Sequence, residues 1–400
     1  MLPPILCVSN MAWDAPTPTN RQQLMRRFST RTQVAVIEAP LALLGSFVGH
    51  SRQRQRRHGW RRDDDVLILQ AWDWLPYPVA ARSKSLSAFA DAAFRRFITS
   101  QWRNLGWQDP ILWLYPPDSG DLIGRFHEHI SVYHCVDDYT AIERFNHYRR
   151  VAVYDPSKQE QALVRAANVM VATAPRIQKR WQQVRDDILL LPNVADTGLF
   201  RQALERGPEH AALAAIPRPR VCFIGALDAY KVDFALLAGV ASLCPDMHFV
   251  CVGPIGFADR THGSEIPHLA NLHYIDTLPQ TELPLLLRGC AICIIPYHLN
   301  EYTASVSPLK LYEYLAAGCP VVATYLPALQ AEDTHGLFFS ESTPGSFAEQ
   351  LRRVLNMGAE ERHEISQVAL SHSWDRRIDE FENIMLAHIE QRTMAESKQT

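Results

Sequence analysis

Residues 307–324 read SPLKLYEYLAAGCPVVAT. Ser307 suits an N-cap and Pro308 the first helical position. Leu311, Leu315 and Gly318 recur at spacings of four and three, which gives one buried face. Gly318 fits the C-cap and Pro320 stops the helix, so Val321 and Val322 open a buried strand behind it. The orphan N–H groups at such a helix start attract anions. On that reading the stretch from Ser305 through Ser307 to Lys310 cradles a diphosphate, with the Lys310 ammonium as a point charge. Glu313, one turn further in, accepts hydrogen bonds from vicinal sugar hydroxyls. The same pattern also fits an exposed Lys310–Glu313 pair worth about 0.2–0.5 kcal/mol, and the helix pattern alone leaves both open.

Outward from this stretch, short apolar runs alternate with helix-like segments. Strands are expected at 5–9, 34–40, 66–70, 111–115, 131–136, 169–174 and 188–194, then at 221–227, 248–254, 272–276, 291–297, 320–325 and 336–340. Continuous Val/Ile/Leu runs, rather than alternation, imply strands covered on both faces, joined as right-handed βαβ units. Residues 201–219 are rich in Pro, Ala and charge and carry no strand pattern; they read as a linker. The strand AICIIPY ends at Tyr297, which puts 298–306 beyond a carboxyl strand end, where ligands bind in open α/β sheets.

The chain has 400 residues, 47% of them hydrophobic, and a net charge of −3. That suits two cores and gives no global pull toward nucleic acid or membrane. No run approaches the roughly 18 apolar residues of a membrane span, and the start MLPPILCVSN lacks the basic region of a signal peptide. Cys7, Cys135, Cys222, Cys251, Cys293 and Cys319 lie in or beside apolar runs, as reduced cytoplasmic cysteines do. Cys290 and Cys293 form a C-x-x-C, but inside an apparent buried strand with no second Cys/His pair nearby, so they read as core. Only six of the 40 basic residues are lysine, which makes each lysine informative.

The stretch 307–324 resembles the donor-site motif of retaining glycosyltransferases with the GT-B fold, especially glycosyltransferase family 4. Further similarities follow in order: LLPNVADTGLF (190–200), FIGAL (223–227), the segment 271–297 before the donor helix, and HSWDRRIDEF (372–381), which resembles a closing helix that crosses back to the first domain. The resemblance implies an α/β GT-B architecture: two doubly wound Rossmann-like domains facing a central cleft. It divides the chain into an acceptor-binding domain (1–200), a linker (201–219), a nucleotide-sugar-binding domain (220–372) and a crossing helix (373–392). It also implies that Lys231 and Lys310 contact the diphosphate, that Glu313 binds the nucleotide ribose, and that Gly225 forms the glycine turn of the donor domain. Two departures stand out. Ala226 replaces the usual arginine after the glycine, and Ser305 stands where the family often has a glutamate that holds the transferred hexose.

In the first half, SVYHCVDDYTAIERF (131–145) places His134, Asp137 and Asp138 at a strand's carboxyl end, and a similar stretch occurs in bacterial polysaccharide glycosyltransferases. One aspartate would orient or deprotonate the acceptor hydroxyl, and His134 would accept its proton or contact the sugar; an Asp N-cap is the structural alternative. Trp13, Asp14 and Arg21 are candidates for the acceptor side. In 41–62 an apolar patch precedes six arginines between Arg52 and Arg62, which suits docking on an anionic inner-membrane surface or a solvated loop paired with Asp63, Asp64 and Asp65.

The resulting expectation is a cytoplasmic enzyme, peripheral at the inner membrane face, that moves a sugar from a nucleotide diphosphate sugar to a glycan or lipid-linked acceptor with retention, in cell-surface polysaccharide synthesis. No metal or other cofactor is expected, because lysines and helix N–H groups replace it. A nucleotide-sugar epimerase and a non-catalytic partner subunit are the alternatives.

Overall fold

The structure is a computed structural model that describes residues 2–9, 11–14, 19–38, 41–42, 59–70, 72–73, 84–139, 141, 156–256, 263, 265–330 and 334–398. The first sheet is built from β1 (Ile5–Val8), β2 (Val34–Ile37), β4 (Gly59–Asp63), β5 (Val66–Gln70), β7 (Ile111–Leu114), β8 (Ile130–Cys135), β9 (Val169–Ala172) and β10 (Leu189–Leu190). Its order is β10-β9-β8-β7-β1-β2-β5-β4. Every pairing is parallel except β4 with β5. A small parallel pair, β3 (Leu41–Ala42) with β6 (Trp72–Asp73), lies apart. The second sheet contains β11 (Arg220–Ile224), β12 (His248–Val252), β13 (Leu272–Ile275), β14 (Ile292–Ile295), β15 (Val321–Thr324) and β16 (Leu337–Ser340), all parallel in the order β13-β12-β11-β14-β15-β16.

Both sheets are doubly wound, so each has a point where the strand order reverses: between β1 and β7 in the first, and between β11 and β14 in the second. Connections leave these points in opposite directions and open a crevice beyond the carboxyl ends. The apolar runs legible in the sequence form the central strands because they are buried on both faces: β1, β2, β7, β8, β9, β14 and β15 are buried at every position.

The last helix, Trp374–Ser397, returns to the first domain. Trp374, Ile378, Phe381 and Met385 join the core of β1, β2, β7 and β8, each contributing roughly 1.5–3 kcal/mol of burial. Arg27 pairs with Asp375, and Arg31 with Asp379 and Glu382, tying this helix to Asn20–Phe28. Within 201–219, Ala203, Leu213 and Ile216 sit in the second core, and the turn Arg201–Leu204 packs against the helix Leu283–Arg288. Residues 59–63 form an edge strand, in which Arg61 pairs with Glu38 and Asp14, and Asp63 with Arg26. Most of the 41–62 docking segment, 43–58, lies outside the described residues. Among the described residues, no helix is long and apolar enough to cross a membrane.

Candidate functional site

The helix that opened the sequence reading runs Lys310–Ala316. Ser307 does not cap it. Leu309 occupies the cap position without a side-chain bond, and the Ser307 hydroxyl instead accepts the Asn193 N–H at 3.3 Å. Gly318 does end the helix, at φ +69, with the Cys319 N–H donating to Tyr314 O at 2.9 Å. Leu311 and Leu315 are buried as the spacing required.

Lys310 points back along the sheet to the glycine turn that follows β11. Its ammonium lies 4.0 Å from the centre of the Phe223 ring and 5.2 Å from that of Tyr297. It makes no hydrogen bond or ion pair among the described residues. A side chain at Gly225, whose φ is +144, would bring its Cβ to 2.5 Å from Lys310 Nζ, so only glycine leaves the amine this space. Lys231 approaches from the next turn, paired with Asp228 at 3.8 Å. Burial first, then the nearby Lys231 charge, pushes the Lys310 pKa down. Glu313 sits behind it with its carboxylate 3.5 Å from the Gln280 amide, and burial raises its pKa to about 7. Lys310 and Glu313 are enclosed by chain on most sides, yet each keeps some accessible surface. That is how side chains lining a cleft look, and it decides against the exposed surface pair.

Tyr314, to which the sequence reading gave no role, ties the two elements together. Its hydroxyl accepts the Ile224 N–H at 2.7 Å and donates to Ile224 O at 3.3 Å. The donor helix thereby fixes the strand end from which Gly225 turns. Its place between Lys310 and Gly318 was visible, but a buried tyrosine inside an apolar helix face reads simply as core.

Across the crevice, Asp137 follows β8. Its carboxylate accepts from the Tyr302 hydroxyl of the second domain at 3.4 Å, and burial raises its pKa to about 6 against the pull of Lys231. Thus Asp137, Tyr302 and Lys231 meet where the domains face each other. Asp138 does not join them. Arg180 holds its carboxylate at 2.5 Å, and it accepts the Ala141 N–H, which is the capping alternative. His134 also stands elsewhere: it is 2% exposed and packed against Trp113, Tyr115 and Phe381. Burial pushes its pKa down to about 3, because a strand residue at that register points into the core rather than off the strand end.

Other expected residues divide similarly. Ser305 is fully buried; its N–H donates to Tyr302 O and its hydroxyl to Glu301 O, so both donors are used within its own loop. Ser307 joins the two domains through Asn193, whose amide donates to Ser307 O while its oxygen accepts from Asn20. Trp13 is buried, its N–H on Glu38 and its indole on Asp63, and Asp14 is exposed and paired with Arg61. Of the three acceptor-side candidates, only Arg21 stands at a strand-order reversal. Cys290 and Cys293 are buried free thiols. A hollow lined by Arg95, Arg96, Arg103 and Arg125 lies on the outer helix Lys84–Leu105 and shares no residue with the site.

Residues 218–357 match the family described as "Glycosyl transferases group 1". Over 156 residues the chain is 32% identical to the "Putative teichuronic acid biosynthesis glycosyltransferase TuaH" of Bacillus subtilis (strain 168); the match spans 38% of this chain and 38% of that relative's length. Solved structures match over nearly the whole chain. A UDP-forming trehalose-phosphate synthase from Burkholderia xenovorans is 12% identical with TM-score 0.67, covering 98% of this chain and 99% of its own. Sucrose-phosphate synthase from Thermosynechococcus elongatus is 14% identical with TM-score 0.66, covering 98% and 99%. An E. coli trehalose-6-phosphate structure bound with UDP-2-fluoro glucose is 11% identical with TM-score 0.66, covering 96% and 98%. At these identities the structural likeness shows the fold alone. The chain thus has the two-domain fold of these structures, and its segment 218–357 is similar to group 1 glycosyltransferases.

Proposed function

We propose that the protein is a retaining glycosyltransferase that moves a sugar from a nucleotide diphosphate sugar to a hydroxyl of a glycan or lipid-linked glycan, in cell-surface polysaccharide synthesis. The observation that carries this reading is the Lys310 ammonium held against Gly225 at the β11–β14 reversal, without a carboxylate at ion-pair distance and with Glu313 a turn behind it. The group 1 match over 218–357 and the Bacillus relative support the same reaction class.

In this mechanism the diphosphate lies between Lys310 and Lys231, and the ionised Glu313 accepts the ribose hydroxyls. Negative charge grows on the leaving diphosphate as the glycosidic bond lengthens, and the two ammonium groups stabilise it where it develops. The sugar passes through an oxocarbenium-like state. The acceptor hydroxyl attacks from the face the leaving group vacates, giving retention, and its proton leaves with the diphosphate or through Asp137. Because lysines carry the charge, the reaction is proposed to need no divalent metal. Contact of 41–62 with an anionic inner-membrane surface belongs to the same proposal, and co-sedimentation with anionic vesicles tests it.

Thermal-shift titration with UDP, GDP, ADP and TDP, followed by radiolabelled sugar transfer, tests the reading. Stabilisation by one base and transfer to an acceptor support it. Turnover of the nucleotide sugar without an acceptor indicates an epimerase, and no nucleotide binding indicates a non-catalytic partner.

A further inference from the structure

The first domain carries a feature that the donor site does not explain. Helix Asn20–Phe28 begins with four consecutive buried polar residues, Asn20, Arg21, Gln22 and Gln23, although a helix over a sheet ordinarily turns apolar residues inward. Asn20 and Gln23 are accounted for by Asn193 and by Gln280 of the second domain, and Gln22 by Thr19 and Trp13. Arg21 is not. It is 2% exposed, yet its one hydrogen bond among the described residues is a long 3.4 Å contact to Ala12 O, and its Nε has no partner. Cys7, Tyr115, Tyr139 and Glu38 surround its charge. Glu38 is already engaged: one oxygen accepts from Trp13 and Arg61, and the other from Gln70.

Tyr115 adds a second unsatisfied group. Its hydroxyl is buried beside the Trp113 indole N–H, and neither atom has another hydrogen-bond partner among the described residues. Cys7 belongs to β1, and Tyr115 directly follows β7. The Arg21 charge, felt at Cys7 and Tyr115, therefore stands by the strand-order reversal of the first sheet, where open α/β sheets bind ligands. A buried guanidinium with no ion pair among the described residues is costly unless an anion completes it, and its planar fork matches a carboxylate or phosphate two-pronged.

We propose that Arg21 and the Tyr115 hydroxyl form an anion subsite at the β1–β7 reversal, so that the acceptor carries a carboxylate or phosphate there. This rests on the reading that the first domain takes the acceptor. Water alone satisfies hydrogen bonds, and the Glu38 charge is shared with Arg61, so an oxyanion on the acceptor sugar fits better than a neutral one. Glu38 stays with Arg61 and Gln70, and the oxyanion takes the free edge of Arg21.

The test measures binding of glucuronate, glucose 6-phosphate and glucose to the full chain by calorimetry or ligand NMR. Nucleoside diphosphate affinity is measured on the same samples. Wild-type protein is expected to bind at least one anionic sugar tenfold or more tighter than glucose, and which one distinguishes carboxylate from phosphate. Arg21→Met is expected to abolish that preference, Arg21→Lys to retain part of it, and Tyr115→Phe to weaken the anion several-fold, with nucleotide affinity unchanged throughout. Equal binding of all three sugars by wild type overturns the proposal, whatever the variants do. So does an anion preference that survives in a folded Arg21→Met; if that variant does not fold, an undiminished preference in both Arg21→Lys and Tyr115→Phe overturns it. Loss of nucleotide binding with the anion preference intact counts against the donor site and supports this subsite.

Discussion

Replacing Lys310 with methionine separates ligand binding from stability. The substitution keeps the aliphatic stem and removes the ammonium. In the free protein that ammonium is desolvated and faces Lys231, so its pKa is pushed down; each unit of such a shift corresponds to about 1.4 kcal/mol carried by the fold. Contacts with Phe223 at 4.0 Å and Tyr297 at 5.2 Å return part of this, about 0.5–2 kcal/mol. Lys310→Met is therefore expected to leave the ligand-free protein as stable as wild type or more so. Charge-assisted hydrogen bonds to phosphate are worth roughly 1.5–3 kcal/mol, so nucleoside diphosphate affinity is expected to fall about 10- to 150-fold. Proton linkage gives an independent sign. A lysine whose folded pKa lies below its unfolded value binds fewer protons when folded, so stability rises with pH between the two values. A bound diphosphate raises that pKa again, so near the folded value wild type takes up protons on binding and the variant takes up fewer. Calorimetry in buffers of different ionisation enthalpy reads this, and urea titration reads stability. A variant that binds nucleotide within twofold of wild type, or that unfolds several kcal/mol more easily, would refute the assignment.

Gly225→Ala is expected to force a Cβ onto Lys310 Nζ at a φ of +144, costing about 1–3 kcal/mol of stability and most of the nucleotide affinity, as read by thermal shift with and without ligand. Tyr314→Phe leaves the Ile224 N–H without its partner; a stability loss of about 1–3 kcal/mol with weakened nucleotide binding is expected in denaturant and ligand titrations. Glu313 has its pKa raised from 4.5 to about 7, so the folded state holds the extra proton. Its contribution to stability is present below pH ~4.5 and is lost as pH rises through ~7, whereas nucleotide affinity, which needs the carboxylate, rises over the same window; Glu313→Gln should flatten both pH profiles. Asp137→Asn is expected to slow transfer while sparing nucleotide affinity, whereas Asp138→Asn should chiefly lower stability by loosening Arg180 and the Ala141 cap. A donor-affinity loss in Asp137→Asn counts against its placement on the acceptor side.

By itself, the sequence determined the architecture and the position of the helix Lys310–Ala316. Runs such as ILWL and ICII are continuously apolar because central parallel strands are buried on both faces, and such patterning is local enough to read from a string. Gly318 and Pro320 mark the helix end for the same reason, since backbone constraints belong to individual residues. Side-chain direction at strand ends and partners far apart in the chain are settled only when the sheets assemble. His134 and Asp137 lie three residues apart, yet one is core and the other meets Tyr302 across the crevice. Ser307 gives up its cap to Asn193, and Tyr314 clasps Ile224, 90 residues away in the chain. Arg21 sits in a helix whose first turn looked ordinary and polar. Only packing against β1 and β7 made its charge buried and, among the described residues, without an ion pair, because desolvation depends on what the whole fold brings around a group and not on its neighbours in sequence.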